Sequence, residues 1–359
     1  MATSDMTTED RRGLRIAMVV PPWYEVPPPG YGGVEQVVAG LVDALVRRGH
    51  DVTLFGAGSE SGTQARLATT VEEPQVERMG ELLPEVAHIA RVNRMVDVGR
   101  FDVVHDHTVV GPLTAERRSV PTVTTVHGSP VGEYGDALRS LGAGVRLVAI
   151  SHAQRRLAPD LPWYGTVHNG MVIDDLANEP TEQPGGRAGR VLWLARFNAE
   201  KAPELAIEAC RAAGLPLVLA GKCVEPYEQE YFRGVVEPML GPDVEVMLNP
   251  DRAATKRLLL SGRCLIMPIQ WEEPFGMVVI EAMAAGTPVV TLNRGAMPEL
   301  VQDGVTGFVR DDPGDLPQAL HDAAFLDGRA CREHVARNFS TDRMAEGYEL
   351  VYAHHREAP

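Results

Sequence analysis

Four groups of residues in this sequence have types and spacings that could do chemistry. Glu273 and Glu281 stand eight residues apart in Glu273-Pro274-Phe275-Gly276-Met277-Val278-Val279-Ile280-Glu281. That string reads as a loop turning into a helix, with Glu273 in the loop and Glu281 about one turn in. Carboxylates so placed would hold different parts of one extended ligand. Gly276 leaves the helix start open, and the unpaired N–H groups of a first turn favour a phosphate or sugar oxygen. An acid near a helix start plus an exposed helix Glu has the same spacing. Arg196 and Lys201 follow the apolar run Val191–Ala195. A guanidinium fork and an ammonium at a strand's carboxyl end suit a diphosphate, although strand-end loops are commonly charged.

The third group is the loop Pro27-Pro28-Pro29-Gly30-Tyr31-Gly32-Gly33 ahead of a helix. Its glycines would let backbone N–H groups approach an anion, and they would equally serve an ordinary turn. Glu35 stands where a dinucleotide fingerprint needs its third glycine, and no GxxxxGK[ST] string occurs. The fourth group is histidine-rich. His127 ends the run Thr125-Val126-His127-Gly128 and could face a ligand or be a hydrogen-bonded structural histidine. His105-Asp106-His107 resembles metal ligands, but successive strand residues point to opposite faces, so a structural role is preferred. There is no DxD, GxSxG or HExxH string, so a metal-diphosphate motif, a serine hydrolase and a zincin are all unsupported.

Elements of alternating type must position these residues. Apolar strand-like runs at Leu14–Val20, Val52–Phe55, Phe101–His105, Thr122–Val126 and Arg146–Ile150 alternate with helical patterns such as Val34–Arg48. The alternation restarts at Val191 with strand, helix Pro203–Ala213 and strand again, which gives parallel βαβ units twice over. The expected fold is therefore α/β, two Rossmann-like doubly wound parallel-sheet domains facing a central cleft. Residues 1–173 form the N-terminal domain, 174–190 a linker rich in Gly, Pro and acids, and 191–340 the C-terminal domain. A last helix within 341–359 carries Met344, Tyr348, Val351 and Tyr352 on one face.

The 359 residues include 34 Lys+Arg against 49 Asp+Glu, a net charge of −15, which disfavours nucleic acid and anionic bilayers as partners. The four cysteines form no CxxC pair, so zinc ribbons and redox dithiols are not expected. No stretch approaches the ~18 apolar residues of a membrane span, and no leader is apparent, so a cytoplasmic location is expected. Membrane association is not expected, and the oligomeric state is open.

Taken together, these strings resemble the retaining glycosyltransferases of family four, which have the two-lobed GT-B fold. The resemblance runs from Arg15 to the last helix. It rests on Gly32-Gly33-Val34-Glu35, Asp102–His107, Thr125–Gly128, His168-Asn169-Gly170, Arg196 with Lys201, and above all Glu273–Gly276 with Glu281-Ala282-Met283-Ala284-Ala285-Gly286-Thr287-Pro288 and Gly304–Phe308. It implies transfer of a sugar from a nucleotide-sugar donor with retention and without a metal or other cofactor. Gly32 and Gly33 would then lie under the donor diphosphate, and Arg196 and Lys201 would neutralise it. Glu273 would accept a hydroxyl of the donor sugar. The backbone amides of Phe275, Gly276 and Met277 would hold sugar and phosphate, Glu281 the ribose, and His127 the sugar near its 6-position. The acceptor would bind the N-terminal lobe, onto which the last helix packs back. Ala195-Arg196 and Lys201-Ala202 depart from the family's Gly-Arg and Lys-Gly, which narrows that loop. A GT-B phosphorylase or epimerase, or a catalytically silent nucleotide-sugar-binding protein, would share much of this pattern.

Overall fold

Runs of buried aliphatic residues build two parallel sheets in a computed structural model that describes residues 13–30, 32–173 and 189–353. The chain divides into two compact units. The first holds the chain up to Ala149, then Ala158–Gly170, then everything from Thr341; the second holds Ile150–Leu157 and Met171–Ser340.

The first unit contains β1 (Arg15–Val19), β2 (Asp51–Ala57), β3 (Arg66–Val71), β4 (Val103–Asp106), β5 (Thr122–Val126), β6 (Val145–Ala149) and β7 (Trp163–Thr166), in the sheet order β3-β2-β1-β4-β5-β6-β7. The second contains β8 (Val191–Leu194), β9 (Leu217–Gly221), β10 (Val244–Leu248), β11 (Cys264–Met267), β12 (Val289–Leu292) and β13 (Gly307–Arg310), in the order β10-β9-β8-β11-β12-β13. Neighbouring strands run parallel. The central strands β1 and β11 are apolar and buried almost throughout, as strands covered on both faces must be. Helix Gly33–Arg47 buries Val37, Val38, Leu41, Ala44 and Leu45, a 3.6-residue stripe. In each sheet the strand order reverses at a central pair, β1 with β4 and β8 with β11. Loops leaving the carboxyl ends of such a pair diverge and form the usual ligand crevice of a doubly wound sheet.

The domain boundary differs from the one read from sequence. The short helix His152–Leu157 belongs to the second unit, because Ile150 enters that unit's core and the N–H groups of His152 and Ala153 donate to Glu299 at 2.9 and 2.6 Å. Met171 also counts there, its N–H donating to the Phe339 carbonyl at 2.8 Å. Of the expected linker, residues 174–188 lie outside the described residues, as do Tyr31 and 354–359. Helix Thr341–Ala353 belongs to the first unit. Its Glu349 takes Arg48 at 2.7 Å and His50 at 3.0 Å, and its Tyr352 and Tyr348 hydroxyls meet His105 and Thr125, each at 2.7 Å. Among the described residues no helix is long and apolar enough to cross a membrane. All four cysteines are free and buried.

Candidate functional site

In the second unit, Arg196 and Lys201 leave the carboxyl end of β8, and Glu273 follows β11. These are the two strands of the reversal point. Phe197 pins the β8 loop. Its ring is fully buried and lies 4.9 Å from Trp193 and 5.1 Å from Phe232, centroid to centroid. The Lys201 N–H donates to the Asn198 side chain at 3.1 Å, and the Trp193 indole N–H donates to the Lys201 carbonyl at 2.9 Å. Ala202 then turns the chain through a left-handed conformation, φ 45° and ψ 59°, into helix Pro203–Ala213. The two loops touch where the Gln270 N–H donates to the Glu200 carbonyl at 2.8 Å.

The Lys201 ammonium forms an ion pair with the Glu273 carboxylate, and both side chains are nearly nine-tenths buried. The Trp271 indole N–H donates to the same carboxylate oxygen at 2.9 Å, and the ammonium lies 5.1 Å from that ring's centroid. The Glu273 backbone is braced from behind. Its carbonyl accepts the Ala296 N–H at 2.9 Å, and the Gly295 N–H donates to Glu272 at 2.8 Å. A Cβ on Gly295 would come within 2.3 Å of the Glu273 N and O. Arg196, half-buried, stands 3.5 Å from the Tyr227 hydroxyl.

Helix Met277–Ala284 begins beside this pair. Its N-cap, Gly276, is left-handed at φ 103° and supplies no side chain to the first-turn N–H groups. Those groups therefore stay available to an oxygen. The Phe275 ring is 2% exposed and packs edge-on against Phe339, so Phe275 can offer a ligand only its backbone. Glu281 lies one turn along. Burial pushes its carboxyl above the usual range, and the charge of Arg252 opposes this. Met277 is half-buried at the helix start. The second unit thus gathers a cation pair, a carboxylate and an open helix end at one reversal point. That combination can bind a diphosphate and the hydroxyls of an attached sugar.

Gly32, Gly33 and His127 belong to the first unit. Gly32 caps helix Gly33–Arg47, its carbonyl accepting the Gln36 N–H at 3.0 Å. A Cβ on Gly32 would lie 2.8 Å from Pro28, whereas one on Gly33 would meet nothing within 4 Å. Glu35 shares this helix start. It is 4% exposed, and burial raises its pKa. A carboxyl at the very end expected to receive an anion is a feature that the glycine spacing did not indicate. His127 is half-buried at the carboxyl end of β5, its Nε2 2.9 Å from Nδ1 of His107, and burial lowers its pKa to about 4. His105 and Asp106 are structural. Both His105 nitrogens are engaged by hydroxyls, and Asp106 is an ion-paired partner of Arg118 at 3.2 Å, fully inside the unit.

Sequence reasoning did not find Trp271, Asn198, Tyr227 or Gly295. Trp271 had a visible signal, an indole two residues before the key carboxylate. Gly295 had none, because it reaches Glu273 only through the fold.

The two reversed parallel sheets, with this constellation on the second, define the GT-B class of glycosyltransferase. The chain's two halves match separate family models, residues 31–172 the one described as Glycosyltransferase Family 4 and residues 180–326 the one described as Glycosyl transferases group 1. A D-inositol 3-phosphate glycosyltransferase of Mycolicibacterium vanbaalenii is 28% identical over 394 residues, covering 90% of this chain and 86% of its own. The crystal structure of AviGT4, a glycosyltransferase involved in avilamycin A biosynthesis, superposes with a TM-score of 0.72 at 26% identity, over 96% of this chain and 99% of that one. Anabaena HepE, solved in complex with UDP-glucose, has a TM-score of 0.70 at 18% identity, over 95% of this chain and 99% of its own, a likeness of fold. The chain belongs to the family 4 glycosyltransferases of GT-B fold.

Proposed function

We propose that the protein moves a hexosyl unit from a UDP- or GDP-linked sugar to an acceptor hydroxyl, with retention at the anomeric carbon and without a metal. One observation carries this reading: Lys201 and Glu273 meet at the reversal point of the second sheet, beside an uncapped helix start. As the glycosidic C–O bond breaks, the departing nucleoside diphosphate gains negative charge. Lys201, Arg196 and the N–H groups of Gly276 and Met277 are fixed before reaction, so they stabilise that charge more in the transition state than in the ground state. Arg196, Lys201 and the open helix end together supply counter-charge to a diphosphate even with Glu273 beside Lys201, which is why no metal is assigned. Glu273 receives a sugar hydroxyl, Glu281 the ribose hydroxyls, and His127 the sugar near its 6-position. Gly32 and Gly33 approach the diphosphate through backbone alone. Among the described residues the reading gives no side chain the part of a nucleophile, since Glu273 is engaged by Lys201 and Trp271 and is assigned to a sugar hydroxyl. The reading therefore favours front-face return, in which the leaving phosphate takes the acceptor's proton.

Calorimetry with UDP- and GDP-sugars, followed by turnover assays with and without chelator, tests the proposal. Glu273→Gln and Lys201→Ala should each lower turnover by ~10²–10³ with the fold retained. Near-normal turnover in both variants would refute the site assignment, and activity abolished by chelator would refute metal independence.

A further inference from the structure

His127 sits at the end of a line of three groups, and the line determines which of its ring nitrogens carries the proton. Met18 is fully buried on β1. The His107 backbone amide donates to the Val19 carbonyl at 2.9 Å, which sets the His107 ring beside Met18. Its Nε2 lies 3.1 Å from the Met18 sulfur and its Nδ1 lies 2.9 Å from His127 Nε2. His105 does not compete for these atoms, since its own nitrogens meet Tyr352 at 2.7 Å and Thr125 at 2.8 Å. Burial holds His107 and His127 well below the ordinary histidine range, so each ring is neutral near pH 7 and carries one proton.

Two arrangements of those protons are available. If His107 is protonated at Nδ1, it donates to His127, but its bare Nε2 then presses a lone pair against the sulfur. If His107 is protonated at Nε2, it donates to the sulfur, which can only accept, and its Nδ1 accepts the proton of His127 Nε2–H. The second arrangement makes two hydrogen bonds, where the first makes one and adds a repulsion. We infer that Met18 and His107 are positioning residues that strip the proton from His127 Nδ1, so that His127 meets its substrate as a hydrogen-bond acceptor and selects a hydroxyl-bearing hexosyl group over a carboxylate-bearing uronosyl group. The inference rests on the proposed transferase reading for the substrate, and on the first unit alone for the proton.

A bare imidazole nitrogen welcomes O–H and repels a carboxylate oxygen. A buried acceptor facing an acceptor costs roughly a tenfold to hundredfold loss in binding. Long-range proton–nitrogen NMR of protein labelled with 15N-histidine reads the tautomers directly. Both His107 and His127 should appear protonated at Nε2. Met18→Leu, close in volume and with no acceptor, should turn the His127 signal into a mixture of tautomers. In the same variant, the preference for UDP-glucose or GDP-mannose, whichever is turned over, against the uronate of the same nucleotide should fall about tenfold. An Nδ1–H signal at His127 in the unaltered protein, or unchanged tautomers in Met18→Leu, would overturn the relay. An unchanged donor preference alongside altered tautomers would overturn the selection. Failure to bind any nucleotide sugar while the Nε2–H signals stand would strike the transferase reading and leave the relay in place.

Discussion

Glu273 is held by backbone it never meets in sequence. Gly295 is left-handed at φ 54°, and its missing side chain leaves the space that the Glu273 peptide occupies. Gly295→Ala would force that peptide away, because backbone at 2.3 Å cannot yield as a flexible side chain can. Turnover should fall at least ~10²-fold, as for loss of one preorganised donor, whereas Gly33→Ala, with open space around its Cβ, should keep the melting temperature. Equal melting temperatures and equal turnover for Gly295→Ala would disprove the bracing. Ala202 makes the complementary case. The departure from the family's Lys-Gly was visible, but not that the backbone there is left-handed at φ 45°. A non-glycine residue in that region costs about 1–2 kcal/mol. Ala202→Gly relieves this, then loses a buried methyl and adds unfolded-state entropy, so it should stay within ~0.5 kcal/mol of the parent. Ala202→Val should destabilise by more than ~2 kcal/mol in urea unfolding, since a β-branched residue is worse there. At this scale the charged groups were legible because their chemistry is local. The residues that brace them were not, because their partners are far away in sequence.

Helix Leu82–Val98 and strand β3 show the same limit for elements. The buried central strands matched their apolar runs within a residue or two. β3 reads Arg-Leu-Ala-Thr-Thr-Val and lies at the sheet edge, and the helix exposes Leu82, Leu83 and Val98, so neither has a clean period. What joins them is polar. Thr70 donates its hydroxyl proton to the Gly56 carbonyl at 2.8 Å, so His88 Nδ1, 2.7 Å away, must be the donor to Thr70. The other nitrogen, Nε2, is buried, and the Val20 backbone beside the ring offsets the cost of charging it only in part. Protonating it would bury a charge, and burial accordingly lowers the His88 pKa to about 4. The folded value lies below the unfolded one of ~6.5. The unfolded chain therefore takes up the proton first as the pH falls. The neutral ring's contribution is complete above about pH 6.5 and is lost as the pH falls through 4, about 3 kcal/mol in all. His88→Asn keeps a donor for Thr70 and removes the titration. The unfolding free energy from urea titrations should therefore fall less steeply between pH 7 and pH 4 in the variant, by about that amount. Parallel slopes in the two proteins would mean that His88 is not the titrating group.

At the scale of the whole chain, the first unit is not closed until its last helix arrives. Repeated βαβ alternation made two sheets legible, and the apolar face of Met344, Tyr348, Val351 and Tyr352 marked the last helix as one that must dock. The short helix His152–Leu157 was not assignable, since six residues carry too little pattern to say which core they join. The docked helix buries those four side chains and gives His105 and Thr125 their hydroxyl partners. At ~1.5–3 kcal/mol for each buried large side chain, its removal costs on the order of 8 kcal/mol, comparable with the entire stability of an ordinary domain. It would also leave buried histidine and threonine groups short of partners. The second unit has its own core around Trp193, Ile266 and Val290, complete before Ser340. A chain ending at Ser340 should therefore be digested rapidly across residues up to 149 in limited proteolysis, while residues 189–340, with the short helix His152–Leu157 docked on them, stay protected. Heating the intact chain should melt helix and sheet of the first unit together in hydrogen exchange, because the tyrosine hydroxyls tie them into one cooperative block. Protection of β1, β4 and β5 in the shortened chain at the level of the intact protein would show that the first sheet stands without its returning helix, and the energetic argument for that closure would fail.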